Sequence, residues 1–235
     1  FFDSLTDPVL LNKNIHHEEV ASLILLLPNA ILENPQHERI LALMTERVQN
    51  IICLEKSIYN LPALLVDMAA AGEMAVDHLI ELGHERIGFL SLADEREKGY
   101  RRALTLHGLP FDPSLMRVVD GTEILPSAYE AMLELIDQQP EMTALFAAND
   151  EAATAALAAL RDRGKRVPED IAIVSIDNTA ASAFVRPALT TVNVPRSEMV
   201  DYAFQFLLSQ RIHPISPPAS MVLPIELVVR ESSGG

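Results

Sequence analysis

The run TALFAANDEAATAALAALRDRG, residues 143–164, decides the fold. Its opening, Thr143–Ala148, is short and continuously apolar, the pattern of a strand covered on both faces in a parallel sheet. Asn149-Asp150 end the apolar run, and Gly164 stands where the following helix should stop, since glycine suits a left-handed C-terminal position. Strand, polar turn and helix together make one unit of a doubly wound α/β sheet.

Outward from this unit the same alternation recurs. Further strand candidates are Ser22–Leu27, Asn50–Leu54, Ala63–Val66, Arg86–Ser91, Met116–Val119, Ile171–Ile176 and Thr190–Val194. Between them lie amphipathic helices. Ala128, Ala131, Met132, Leu135 and Ile136 share one helical face, and Met199, Val200, Ala203, Phe204 and Leu207 follow the same spacing. Gly83, like Gly164, marks a helix end. The stretch from Phe1 to Val20, interrupted by Pro8, is the least regular, and Ser232–Gly235 reads as a polar tail.

Composition narrows the function. Apolar residues make up 49% of the 235 and charged residues 22%, with a formal net charge of −15. A chain this acidic is not expected to grip a phosphate backbone, which calls for a basic face. The lone Cys53 permits neither an internal disulfide nor a thiolate cluster, and it sits in an apolar run that reads as a buried strand. The run Ala21–Leu27 is far short of the ~20 residues that span a bilayer and resembles no signal peptide. The chain opens on Phe1-Phe2 without a Met, so an upstream portion is expected, and the expected location is the cytoplasm.

Most catalytic readings fail on motif. Neither G-x-x-x-x-G-K-[ST], G-x-G-x-x-G nor G-x-S-x-G occurs, which disfavours nucleotide enzymes of the common α/β types and α/β-hydrolases. His16-His17-Glu18-Glu19 offers metal-ligand residue types without the i, i+4 spacing of a helical zinc site. His78 and His84 flank a helix end and read as packed or capping residues. No catalytic residue, metal site or cofactor is expected.

What remains is a set of polar residues at strand ends: Arg96 after the strand ending near Ser91, Asn149 after Ala148, and Asp177 after Ile176. Each alone fits a helix cap as well as a ligand contact. Together they supply a planar fork of donors, an amide and a carboxylate where doubly wound sheets bind ligands, which suits a sugar, polyol or nucleobase.

At these residues the chain resembles the effector domain of LacI/GalR transcription regulators. The segment 75–87 is similar to the family's A-x-x-H-L-I-x-L-G-H-x-R-I, and 96–104 to its R-x-x-G-Y-x-x-A-L. Residues 146–150 match F-A-A-N-D, 167–171 match V-P-E-D-I, 187–192 resemble P-P-L-T-T-V, and 227–232 match L-V-V-R-E-S. The ordered set covers residues 64 to 232. The resemblance implies two doubly wound parallel-sheet subdomains of the periplasmic binding protein type, joined by three crossovers, with a ligand cleft between them. On that template the subdomains take residues 1–67 plus 193–217 and 68–192 plus 218–235. It implies effector binding by Arg96, Asn149 and Asp177, with Phe2 lining the cleft as part of the family's aromatic pair. It also implies a homodimer whose effector controls operator binding by a DNA-binding headpiece not contained in this chain.

Departures from the family pattern are local. Only nine residues separate Leu54 from Leu64, where the family has a further helix and strand, so the N-terminal subdomain is expected to be abridged. The position that often carries a stacking aromatic holds Glu123, which counts against familiar sugar ligands and leaves two readings, an effector of different chemistry, such as one with a cationic group, or a sensing function that has decayed. The rival reading is a periplasmic-type solute-binding protein serving transport, on the same fold; an enzyme on this scaffold would need a constellation that the sequence lacks.

Overall fold

Two of the continuously apolar runs become strands with no exposed residue. The computed structural model describes residues 20–26, 41–42, 44–48, 50–58, 60–212 and 220–234, and within it every residue of β4 (Ile87–Ser91) and β6 (Ala144–Ala147) is buried. Contacts divide the chain into two units, Phe1–Val66 with Pro195–Pro224 and Asp67–Val194 with Ile225–Gly235, so the chain passes from one to the other three times.

The larger unit adds strands β5 (Met116–Val118), β7 (Ala172–Asp177), β8 (Thr190–Asn193) and β10 (Glu226–Val228) to a six-stranded sheet. The order is β10-β8-β7-β6-β4-β5, parallel except for β10 against β8. Helices α1 (Met68–Glu81) and α2 (Arg96–Leu106) pack on each other, as do α3 (Ile124–Gln138) and α4 (Asp150–Asp162). Side chains alternate along the strands. Leu90, Leu145 and Ala147 join the α3–α4 core, while the intervening Phe89 and Phe146 stack at 4.6 Å and Phe89 stacks on Tyr100 of α2 at 5.1 Å. As the sequence predicts, Gly83 and Gly164 follow the ends of α1 and α4 in left-handed conformations, φ +92° and +69°.

In the smaller unit, β1 (Ser22–Leu26), β2 (Asn50–Leu54), β3 (Ala63–Leu65) and β9 (Met221–Val222) form a parallel sheet in that order, and α5 (Arg196–Ile212) packs against β2. Leu25, Met44, Ile51 and Ala63 cluster around Cys53, which is buried and whose thiol pKa burial pushes up, as befits a packed rather than reactive cysteine.

Three expectations are corrected. The last passage between units falls after Pro224, not after residue 217, because Met221 and Val222 pair with Leu64 and Leu65. The buried face of α5 runs through Met199, Ala203 and Leu207, whereas Val200 and Phe204 are 51% and 59% exposed. The sequence pattern contained both stripes, and packing on β2 selects one. Finally, β9 and β10 are strands that sequence patterning did not separate from loop. Phe2, the His16–Glu19 cluster and Leu27 lie outside the described residues.

Candidate functional site

Strand order creates the site. Within the larger unit, β4 is followed outward by β5, and the chain then returns to place β6 on the other side of β4, with β7 and β8 beyond it. The strand order therefore reverses between β4 and β6, the topological switch point at whose carboxyl edge doubly wound sheets bind ligands. The expected residues follow four consecutive strands: Glu123 after β5, Arg96 after β4, Asn149 after β6 and Asp177 at the end of β7. Leu90 is in register with Ala147, and Phe146 with Val174, so the three inner strands end within about two residues of one another.

Asn149 caps α4. Its backbone is extended, and Oδ1 accepts the Ala152 amide at 2.8 Å. The capping reading is thus correct for the oxygen, and it fixes the amide orientation, leaving the nitrogen with two donors for a ligand. Arg96 opens α2 and is 9% exposed. Nη1 pairs with Asp94, whose Oδ1 also accepts the Arg96 amide at 3.1 Å, while Nε is buried without a partner among the described residues. The fork predicted for a ligand is therefore partly occupied, and the guanidinium acts as a pair with Asp94, a residue signalled only by its Asp-x-Arg spacing.

Asp177 and Asn178 turn the chain at positive φ, +124° and +54°, conformations that L-residues rarely adopt and that concentrate at functional sites. Glu123 sits exposed at the start of α3 and makes no side-chain cap. Beside it, the Thr122 amide and hydroxyl hold the Asp120 carboxyl below the usual range. The edge is therefore rich in acceptors around one arginine, suited to a ligand that presents hydroxyl or amino donors. The two histidines pack as read from sequence: His78 Nε2 meets Ser233 Oγ and His84 Nδ1 meets Thr143 Oγ1, each at 3.0 Å, and burial lowers both pKa values.

Sequence comparison gives this geometry a family. Residues 76–233 match the periplasmic binding protein-like domain. The HTH-type transcriptional regulator CelR of Thermobifida fusca is 36% identical over 173 residues, 71% of this chain and 50% of that protein. A LacI-family regulator structure from Sanguibacter keddieii superposes with a TM-score of 0.72 at 33% identity, covering 79% of this chain and 74% of that one. The chain belongs to the LacI family of transcriptional regulators. Catabolite control protein A of Priestia megaterium, another such LacI-family relative, is 34% identical over 76% of this chain and 55% of its own length. The CelR–cellobiose complex superposes over 96% of this chain and 71% of that one, with a TM-score of 0.80 at 29% identity. The chain spans about half the length of CelR and catabolite control protein A. These relatives are transcription regulators, neither enzymes nor transport proteins, which sets the solute-transport reading aside.

Proposed function

We propose that this chain is the effector-sensing domain of a LacI-family regulator and that Arg96, Asn149 and Asp177 bind a small, hydroxyl-bearing polar molecule. One observation carries the reading: polar residues flank the β4/β6 switch point, the kind of position at which doubly wound sheets bind ligands. Glu123 adds an acceptor from the neighbouring loop, and the Phe2 position belongs to the same assignment by family pattern. The CelR structure holds cellobiose, which supports a carbohydrate-like effector, while the acidic edge favours a ligand with many donors or a cationic group.

In this reading the domain works as a homodimer in the cytoplasm, and the effector biases operator binding by a headpiece outside this chain. Its influence is limited to its differential affinity for the two states of the regulator. No helix among the described residues is long and apolar enough to cross a membrane. A thermal-shift screen of sugars, polyols, nucleobases and amines tests the assignment. A hit should raise the melting temperature of the wild type and lose its effect in Arg96→Ala. An undiminished shift in that variant refutes the assigned site.

A further inference from the structure

Asp150 is a buried carboxylate, 3% exposed, held among the described residues by four neutral donors and no cation. Oδ1 accepts the hydroxyls of Ser175 and Thr191 at 2.6 and 2.7 Å; Oδ2 accepts the amide and hydroxyl of Thr179 at 2.6 and 2.9 Å. A carboxylate only accepts, so Thr191 must donate to it, and Thr191 Oγ1 is left to accept the Asn178 amide at 3.2 Å. The protons in this network are thereby ordered in one sense.

The Asn178 side chain closes the turn from the other side. Its Oδ1 accepts Arg230 Nη2 at 2.7 Å, and its Nδ2 donates to Asn193 Oδ1 at 3.0 Å. Arg230 is itself fixed by donating Nη1 to Leu189 O at 2.8 Å and Ser182 Oγ at 3.2 Å. The costly positive φ values at Asp177 and Asn178 thus lie between two anchors, neither of which belongs to the turn.

We propose that Asp150 and Arg230 are positioning residues for the effector: they hold the left-handed Asp177–Asn178 turn and so set where Asp177 places its carboxylate relative to Asn149. The inference rests on the effector reading above, because Asp150 directly follows Asn149. One dipeptide would supply a ligand contact and brace the turn carrying another.

The test compares Asp150→Asn and Arg230→Lys with wild type. Asp150→Asn keeps shape but turns a donor toward either Thr179 or the two hydroxyls; Arg230→Lys keeps charge but loses the fork. Amide exchange, resolved by NMR, reads the turn, with α3 as internal control. Calorimetric titration with cellobiose and with ribose reads binding. The expected result is exchange at Asn178 and Thr179 faster by about tenfold, unchanged exchange in α3, and affinity weaker by about tenfold, the scale of a lost charge-assisted bond. Faster exchange with unchanged affinity overturns the inference, reducing the network to a structural brace. If neither sugar binds wild type, the carbohydrate reading of the effector fails by itself. The exchange arm then decides the brace, and unchanged exchange at Asn178 and Thr179 overturns it.

Discussion

Gly99→Ala sets two well-understood effects against each other. A methyl group at Gly99 would lie 2.0 Å from the Ala69 carbonyl oxygen and 2.6 Å from the Glu73 amide nitrogen, both backbone atoms of α1. Ordinary contact begins about 1.4 Å farther out than the shorter distance, so α1 and α2 must move apart. Overpacking of this kind costs about 3 kcal/mol, the upper end of the usual range, since backbone cannot rotate aside as a side chain can. Replacing glycine by alanine inside a helix returns about 1 kcal/mol. The net loss is about 2 kcal/mol, a fall in melting temperature of about 4–8 °C for a chain of this size. Thermal melts followed by circular dichroism measure it. An unchanged or raised melting temperature would show that helix propensity wins, and the close α1–α2 crossing would be wrong. Gly72→Ala serves as a comparison. Its methyl group would meet the Arg96 carbonyl oxygen at 2.6 Å, a milder overlap, so the loss of stability should be smaller. That variant, though, displaces the first turn of α2 and should weaken effector binding as well.

Other consequences are simpler. Tyr100→Phe removes the bond from the buried hydroxyl to Ile87 O at 2.8 Å, so urea titration should show a loss of about 1 kcal/mol. Burial lowers the folded pKa of His78 and His84 below the ordinary value of about 6.5. The unfolded chain therefore binds more protons just below that pH, and stability should fall as pH drops through it. The melting temperature should be lower at pH 5.5 than at pH 7.5, and His78→Asn with His84→Asn should shrink the difference; a full-sized difference in the double variant contradicts the assignment.

The strands of the larger unit were legible because burial on both faces removes alternation, leaving runs such as Ile87–Ser91 and Ala144–Ala147 that no amphipathic helix produces. Their C-terminal polar residues were legible for the same reason, since each run stops abruptly. The adjacency of Arg96, Asn149 and Asp177 had a different source. Strand order is a long-range property, and only the family resemblance carried it. Asp94 and Arg230 were missed because their roles depend on partners, respectively on a guanidinium two residues away and on an amide 52 residues away. The buried face of α5 was not singled out because the apolar pattern is broad enough to hold Met199, Ala203 and Leu207 beside Val200 and Phe204. Strands of two and three residues, β9 and β10, are too short to show a period at all.

The short stretch after β2 poses a problem that its register resolves. Parallel neighbours ordinarily need a crossover of a dozen or more residues, yet only eight lie between Leu54 and Ala63. Full pairing of β3 along β2 would require the chain to run back the length of a strand. It does not: β3 pairs only with the last residues of β2, Cys53 with Ala63 and Leu54 with Leu64. The return is therefore about two residues long, within reach of a tight loop. Glu55 and Asn60 supply the reversals at φ +66° and +56°, and the loop is pinned where Cys53 N donates to Pro62 O and Glu55 N to Leu64 O, each at 2.8 Å. So short a connection leaves the sheet parallel but confines the pairing of β2 with β3 to that one end. The opposite edge of β3 is left to Met221 and Val222, which is why the chain stays with this unit as far as Pro224.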